Sequence, residues 1–238
     1  MSSDDVVVQA FTELAPHYSS VMERELQQLW GVGYTELLNH LVALIPHASS
    51  VRLLDVATGT AHIPAVALQR ATVADAVGID ITPAMLKAAQ STLAQDGTAQ
   101  QTRLACASAT CLPFPSGSFS VITCALATHH MDVAAALAEM RRVLRSGGHL
   151  LLLDVGALPV WRTAVGRAAI HWALLLYGWA HRSNRAKAEA GAVPNLRTTE
   201  EWQSLLRNSG FVHVELVHTW APRRMWYPQA LLYRAAAA

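Results

Sequence analysis

Apolar positions follow a helical period at the start of the chain and a strand period further on. From Asp4 to Ile45, Leu37, Leu38, Leu41, Leu44 and Ile45 recur at three- and four-residue spacing, and Pro16 and the Gly31–Gly33 stretch divide the segment into three helices. The period then changes. Val51, Leu53, Leu54 and Val56 form a short apolar run carrying Asp55, the mark of a buried strand in a parallel sheet. Ala57, Thr58, Gly59, Thr60 and Ala61 follow, small residues that let the backbone pass close to a ligand.

Further elements alternate in the same way. Ile63–Arg70 reads as a helix, Ala74–Ile79 as a second strand ending at Asp80, and Thr82 with Pro83 as the start of a helix reaching Gln95. Strands are expected at Thr102–Ala105, Phe119–Cys124 and His149–Val155, with a helix from Asp132 to Leu144 stopped by Gly147 and Gly148. Leu158–Arg185 is apolar and tryptophan-bearing and reads as an inserted helical cap. Thr198 with Glu201 marks a capping box for a helix over Thr199–Asn208, ended by Gly210 and followed by a strand at Val212–Val217. A last strand is expected at Trp226–Tyr233; with no crossover helix before it, it pairs antiparallel. Only Ala235–Ala238 is low in complexity.

Seven strands alternating with helices predict an α/β, doubly wound, mostly parallel seven-stranded sheet with an antiparallel last strand. One domain over 1–238 is expected: a helical flank or lid (1–46), a ligand-binding core (47–155), a helical cap (156–197) and a final helix with two strands (198–238). The 238 residues, 52% of them hydrophobic, suffice for one full core. A net charge of +1 argues against a nucleic-acid partner, which would call for a clustered basic face. Cys106, Cys111 and Cys124 show no C-x-x-C spacing, so no metal site is expected and the cysteines suit a reducing compartment. The first residues open acidic, without a secretory pattern, and a cytoplasmic protein is expected. Nothing in the sequence specifies an oligomeric state.

In an open parallel sheet, ligands bind beyond the carboxyl ends of the strands. Asp80 lies about 20 residues past the glycine turn, where a carboxylate can accept hydrogen bonds from ribose hydroxyls. The dinucleotide fingerprint G-x-G-x-x-G is absent, and Asp55 would repel a pyrophosphate but suits an ammonium group. A ligand with both a ribose and an amino-acid group fits better than a nicotinamide dinucleotide. Asp55 also has a plainer reading as a turn or cap residue.

The motifs LLDVATGTA, VGIDITPAML, ASATCLPFPSGSFSVITC and EMRRVLRSGGHLLLLD, with NLRTTEEWQSLLRNSGF after them, occur in order. Together, over Phe11 to Phe211, they resemble the class I S-adenosylmethionine-dependent methyltransferases, especially the quinone-biosynthesis and small-molecule group. The resemblance implies a Rossmann-like methyltransferase fold with S-adenosylmethionine as cofactor. It implies that Asp55 and the Ala57, Thr58, Gly59 and Thr60 backbone hold the methionine portion and that Asp80 holds the ribose. Ile81 and Met85 would flank the adenine, Ser108 and Ala109 would meet its edge, and Ala125 and Leu126 would line the methyl end. Tyr18 matches a lid tyrosine. Three positions depart from the family pattern: Ala61 replaces a glycine, and Ser108 and Ser120 replace acids. The quinone-ring enzymes carry Arg-Asn where this chain has His129 and His130.

The reaction implied is methyl transfer to a small apolar acceptor, aromatic, phenolic or prenylated, at oxygen or carbon. The alternative is a methyltransferase-like binder of the cofactor with a non-methylating reaction or a regulatory role. His129 and His130 are the candidate catalytic pair, because an imidazole titrates near neutrality; in extended chain they would face opposite ways, leaving one for the substrate. Asp154 reads as a strand-end structural acid, with a place in the lining of the substrate pocket as the alternative. Trp161, Trp172 and Trp179 are expected to wall the acceptor pocket, with ordinary core as the plainer reading. Ala168–Ala180 is too short to span a bilayer, but with Arg182, Arg185 and Lys187 it also suits peripheral contact with a membrane surface.

Overall fold

The computed structural model describes residues 3–47, 50–69, 73–180, 184–224 and 227–238. Three helices come first: α1 (Ser3–Leu14), α2 (Tyr18–Trp30) and α3 (Tyr34–Ala43). The 3-10 turn Ala15–His17, containing Pro16, separates α1 from α2, and Gly31 ends α2 in the left-handed region at φ 75°. The core then alternates β1 (Val51–Val56), α4 (His62–Leu68), β2 (Val73–Asp80), α5 (Pro83–Gln95), β3 (Thr102–Cys106), β4 (Phe119–Ala125), α6 (Val133–Val143) and β5 (Leu144–Gly156). The cap region holds α7 (Ala164–Ala180) and α8 (Asn184–Ala192), and α9 (Thr199–Asn208), β6 (Phe211–Trp220) and β7 (Gln229–Ala237) follow.

The seven strands form one sheet in the order β3-β2-β1-β4-β5-β7-β6. β7 runs antiparallel to both its neighbours, and the remaining pairs are parallel. The order reverses beside β1 and β4, which places a crevice at their carboxyl ends. Alternate residues of each strand divide between two cores. Leu53, Leu151 and Leu153 pack with α2, α3 and α4, whereas Leu54, Leu150 and Leu152 pack with α6 and α9.

The caps read from the sequence are present. Asp132 accepts from the Ala135 N–H at 3.1 Å to start α6, and Thr198 and Glu201 form a full capping box on α9. Several boundaries differ. β5 begins at Leu144 instead of His149, because Gly147 at φ 69° lets the strand bulge rather than stop. β7 lies further along than Trp226–Tyr233 and takes in the alanine tail, where Ala235 and Ala236 pair with Leu150 and His149. Small side chains suit a strand buried in the sheet's interior. The cap is a 3-10 turn at Pro159–Arg162 and two helices, not one unit. Arg70, Arg182 and Trp226 lie outside the described residues. Among the described residues, no helix is long and apolar enough to cross a membrane.

Candidate functional site

The turn after β1 passes through the left-handed region three times, at Ala57 (φ 56°), Gly59 (φ 55°) and Ala61 (φ 59°). Two of these are alanines, which occupy that region at a cost of about 1 kcal/mol each. Side-chain and backbone bonds hold the turn in place. The Thr58 N–H donates to the Ile79 carbonyl (2.8 Å), tying the turn to β2, and the Thr58 hydroxyl donates to Asp55 Oδ2 (2.7 Å). The Thr123 hydroxyl donates to Asp55 Oδ1 (2.7 Å) from β4. Asp55 is therefore buried, with both oxygens engaged by protein hydroxyls, and it does not line the crevice. Burial pushes its pKa up to about 7, against the two hydroxyl bonds that lower it.

Asp80 closes β2 with one oxygen on the Gly59 N–H (2.9 Å) and the other on the Thr82 N–H (2.8 Å). Burial raises its pKa and those backbone bonds oppose the rise. Each oxygen keeps a free acceptor direction, and Asp80 lines a cavity of about 220 Å³ with Ala57, Gly59, Ile81, Met85 and Ser108. Ala109, Ala125, Leu126 and Tyr18 also line it, whereas Thr58 and Thr60 do not. Thr60 instead shares a hydrogen bond with Ser19 at 3.3 Å. Tyr18 meets Tyr34 edge-on at 5.7 Å; burial pushes the Tyr18 phenol up to about 12 and raises that of Tyr34, so Tyr18 stands as a neutral wall with Tyr34 as a neutral ring behind it near neutral pH.

A second cavity, of about 730 Å³, adjoins the first. Its apolar walls come from α2 (Met22, Leu26, Leu29), from Trp161, and from Ile170 and Ala173 of α7. Phe11, Tyr18, Leu126 and His130 line both cavities. Trp172 does not wall this space: its side chain leaves α7 away from the cavity lining, with 62% of its surface exposed. The Trp179 side chain lies outside those described.

The two histidines depart from the extended-chain expectation. Thr128–His130 is a 3-10 turn, so both rings face the large cavity with centroids 4.2 Å apart. His129 Nδ1 lies 2.6 Å from Asp154 Oδ1, and the Thr128 hydroxyl and the Val155 N–H also bond Asp154. This leaves His129 Nε2 toward the cavity. Burial opposes protonation of His129, yet the charge and hydrogen bond of Asp154 lift its pKa above the ordinary value. Burial and the neighbouring His129 push His130 down to about 4. The sequence alone assigns Asp154 to structure; it neither singles out Glu189 nor connects Arg185 with the site. Glu189 is the lone acid of the alanine-rich helix α8, and that isolation is the available signal. It lies 4.0 Å from His129 Nε2 and 3.8 Å from His130 Nε2, while Arg185 is taken by Glu25 at 2.6 and 2.7 Å.

A family profile described as "Methyltransferase domain" matches residues 54–152, the segment that supplies most of the small cavity's lining. The demethylmenaquinone methyltransferase of Thermus thermophilus is 34% identical over 151 residues, 63% of this chain and 66% of that protein. Over this central segment the chain is similar to methyltransferases. The aligned stretch spans less than two thirds of that relative's length. Among solved structures, the Bacillus subtilis protein YcgJ matches this chain with a TM-score of 0.68 at 22% identity, covering 84% of this chain and 97% of its own. The [4+2]-cyclase SpnF matches at 0.70 and 16%, covering 97% and 95%. Both likenesses concern the fold.

The three departures from the family pattern have local accounts in this fold. The left-handed φ at Ala61 explains why the family favours glycine there. Ser120 accepts from the Arg52 N–H at 2.9 Å and bonds its carbonyl at 3.2 Å, stitching β4 to β1. The Ser108 hydroxyl bonds that of Thr110 at 2.9 Å on the cavity wall.

Proposed function

We propose that the protein transfers the methyl group of S-adenosylmethionine to a small, apolar acceptor of quinol, phenol or prenylated type, at carbon or oxygen. The observation that carries this reading is the junction of the two cavities at Phe11, Tyr18, Leu126 and His130. A cofactor in the small cavity would present its methyl group there to an acceptor in the large one. The demethylmenaquinone relative supports a quinol-like ring, and the mostly apolar walls support an acceptor with little charge.

The residues present fit the cofactor. Asp80 would accept the ribose hydroxyls with its free lone pairs, Ile81 and Met85 would flank the adenine, and Ser108 and Ala109 would meet its edge. The backbone at Ala57 and Gly59 would receive the methionine portion, with Asp55 and Thr60 acting behind the turn as positioning residues through their hydroxyl partners. Tyr18, Ala125 and Leu126 would enclose the methyl end.

When bound, the cofactor supplies an electrophilic methyl carbon on a positive sulfur. The acceptor's nucleophilic atom forms the new bond in line as the carbon–sulfur bond breaks, and the sulfur keeps the electron pair as a neutral thioether. Alignment and exclusion of water supply much of the rate. His129, oriented by Asp154, takes the acceptor's acidic proton; His130, neutral at pH 7, borders both cavities and shapes the junction.

A transfer assay with methyl-labelled cofactor across quinols, phenols and prenylated or fatty acceptors tests the proposal. Labelled product with at least one such acceptor, reduced by His129→Ala, is expected. Label in protein or nucleic acid alone would refute it. Cofactor binding with a changed substrate but no label transferred would instead indicate a repurposed enzyme.

A further inference from the structure

The environment of Glu189 is unusual for a carboxylate on the wall of a mostly apolar cavity. Three cationic or potentially cationic groups converge on it, His129 at 4.0 Å, His130 at 3.8 Å and Arg185 at 3.7 Å, yet none is within hydrogen-bond distance. The two imidazole side chains are only 7% and 6% exposed, and His130 Nδ1 is buried without a partner among the described residues. Arg185 is already committed to Glu25 by two bonds.

We propose that His129, His130 and Glu189 form a binding site for a divalent transition-metal ion, zinc by the chemistry of its donors, on the wall of the large cavity. The ligand-capable atoms of the three residues all lie within 4.8 Å of one another. Tetrahedral zinc with bonds of ~2.0 Å separates its ligands by about 3.3 Å, so the two glutamate–histidine gaps of 3.8 and 4.0 Å close by roughly half an ångström each, and the histidine–histidine separation, within 4.8 Å, by at most about 1.5 Å. Two imidazoles and one carboxylate form a catalytic donor set that leaves a fourth position open.

The surroundings of His129 supply an independent argument. A ligating histidine characteristically gives its other ring N–H to a carboxylate, which fixes the tautomer and the ring. The 2.6 Å contact between His129 Nδ1 and Asp154 Oδ1 is that arrangement, and Asp154 is itself held by Thr128 and Val155. The cysteine spacing gives no hint of such a site because its donors are a histidine pair and a glutamate from a distant helix.

The existence of the site rests on geometry alone; its use in catalysis rests on the methyl-transfer reading. With the ion bound, His129 is a ligand rather than a base. An enol or phenol oxygen of the acceptor is the ligand class that completes the shell, its proton passing to solvent and its anion held beside the cofactor cavity.

The test is titration of chelator-treated protein with Zn²⁺ alone, by calorimetry, repeated with Co²⁺ and followed by its visible absorption. One equivalent is expected to bind, with Co²⁺ giving the spectrum of a low-coordinate nitrogen and oxygen site. Glu189→Gln and His130→Ala are expected to weaken binding at least about tenfold, and Asp154→Asn about 10- to 100-fold. His17→Ala and His47→Ala, both at exposed positions, should leave it unchanged. Circular dichroism checks the fold of each variant, and Glu189→Gln, on a partly exposed side chain, decides the matter if an alanine variant unfolds. Absence of stoichiometric binding in the wild type, or equal binding in Glu189→Gln, would overturn the proposal. Metal-free protein that methylates its acceptor at full rate would leave the ion without a catalytic role, whereas stoichiometric Zn²⁺ binding without S-adenosylmethionine binding would sink the functional reading and spare the site.

Discussion

Replacing Asp55 by asparagine exposes the protonation of a carboxyl group that no solvent reaches. In the folded protein its pKa stands at about 7, against 3.8 for an ordinary aspartate, because burial outweighs the Thr58 and Thr123 hydroxyl bonds. The folded state thus holds a proton that the unfolded state releases near pH 4. Stability from this group is fully present below pH 4 and is lost as pH rises through 7. Between pH 5 and pH 8 the loss spans about two pH units at ~1.36 kcal/mol each, or roughly 2–3 kcal/mol. The asparagine side chain does not titrate, so in the variant that component disappears. For a chain of this size each kcal/mol moves the Tm by about 2–4 °C, so the wild type should lose roughly 5–10 °C relative to Asp55→Asn across this range. Differential scanning fluorimetry of ligand-free protein, buffered at half-unit steps, measures the difference. A wild-type minus variant curve that stays flat from pH 5 to 8 would show that Asp55 is ionised in the fold and that the hydroxyl bonds, not burial, govern it.

Three further outcomes follow from the same geometry. Asp80→Ala removes a charged acceptor with bonds worth about 1.5–3 kcal/mol, so the demethylated cofactor should bind roughly 10- to 100-fold more weakly by calorimetry. Trp161→Ala opens the acceptor cavity far from Asp80; it should raise KM for the acceptor about tenfold while the cofactor's Kd stays put, and a change confined to the cofactor would contradict the placement. In Gly78→Ala the new methyl carbon would stand 2.8 Å from Thr58 Oγ1 and 3.0 Å from Leu104. Overpacking of that kind costs about 1–3 kcal/mol, visible as a lower Tm and a looser cofactor turn.

The features legible in the sequence are those governed by local chemistry. Alternating strand and helix periods, the Thr198–Glu201 box, the Asp132 cap and Asp80 at the end of β2 each depend on residues a few positions apart. The features that escape it depend on approach across the fold. Adjacent histidines in extended chain diverge, but Thr128–His130 winds into a 3-10 turn fixed by the bonds of Thr128 and His129 to Asp154, which the sequence does not juxtapose. Glu189 reaches the pair only because α8 folds back along α1 toward this turn. Trp172 carries the same apolar signal as Trp161, but rotation about α7 turns it outward. The motif around Asp55 implies a ligand contact, yet the hydroxyl of Thr123 on β4 claims one of its oxygens.

The position of β7 bears on how the protein is made. It follows both β5 and β6 in the chain, yet it lies inside the sheet, with β5 on one side and β6 on the other. During translation β5 presents an open hydrogen-bonding edge from the moment it forms, and β6 emerges with no strand to pair with. Both stay unpaired until the Gln229–Ala237 segment has been made. The growing chain therefore carries an exposed template for wrong partners through the synthesis of α7, α8 and α9, and residues Gln229–Ala237 decide whether that edge is closed by the correct strand.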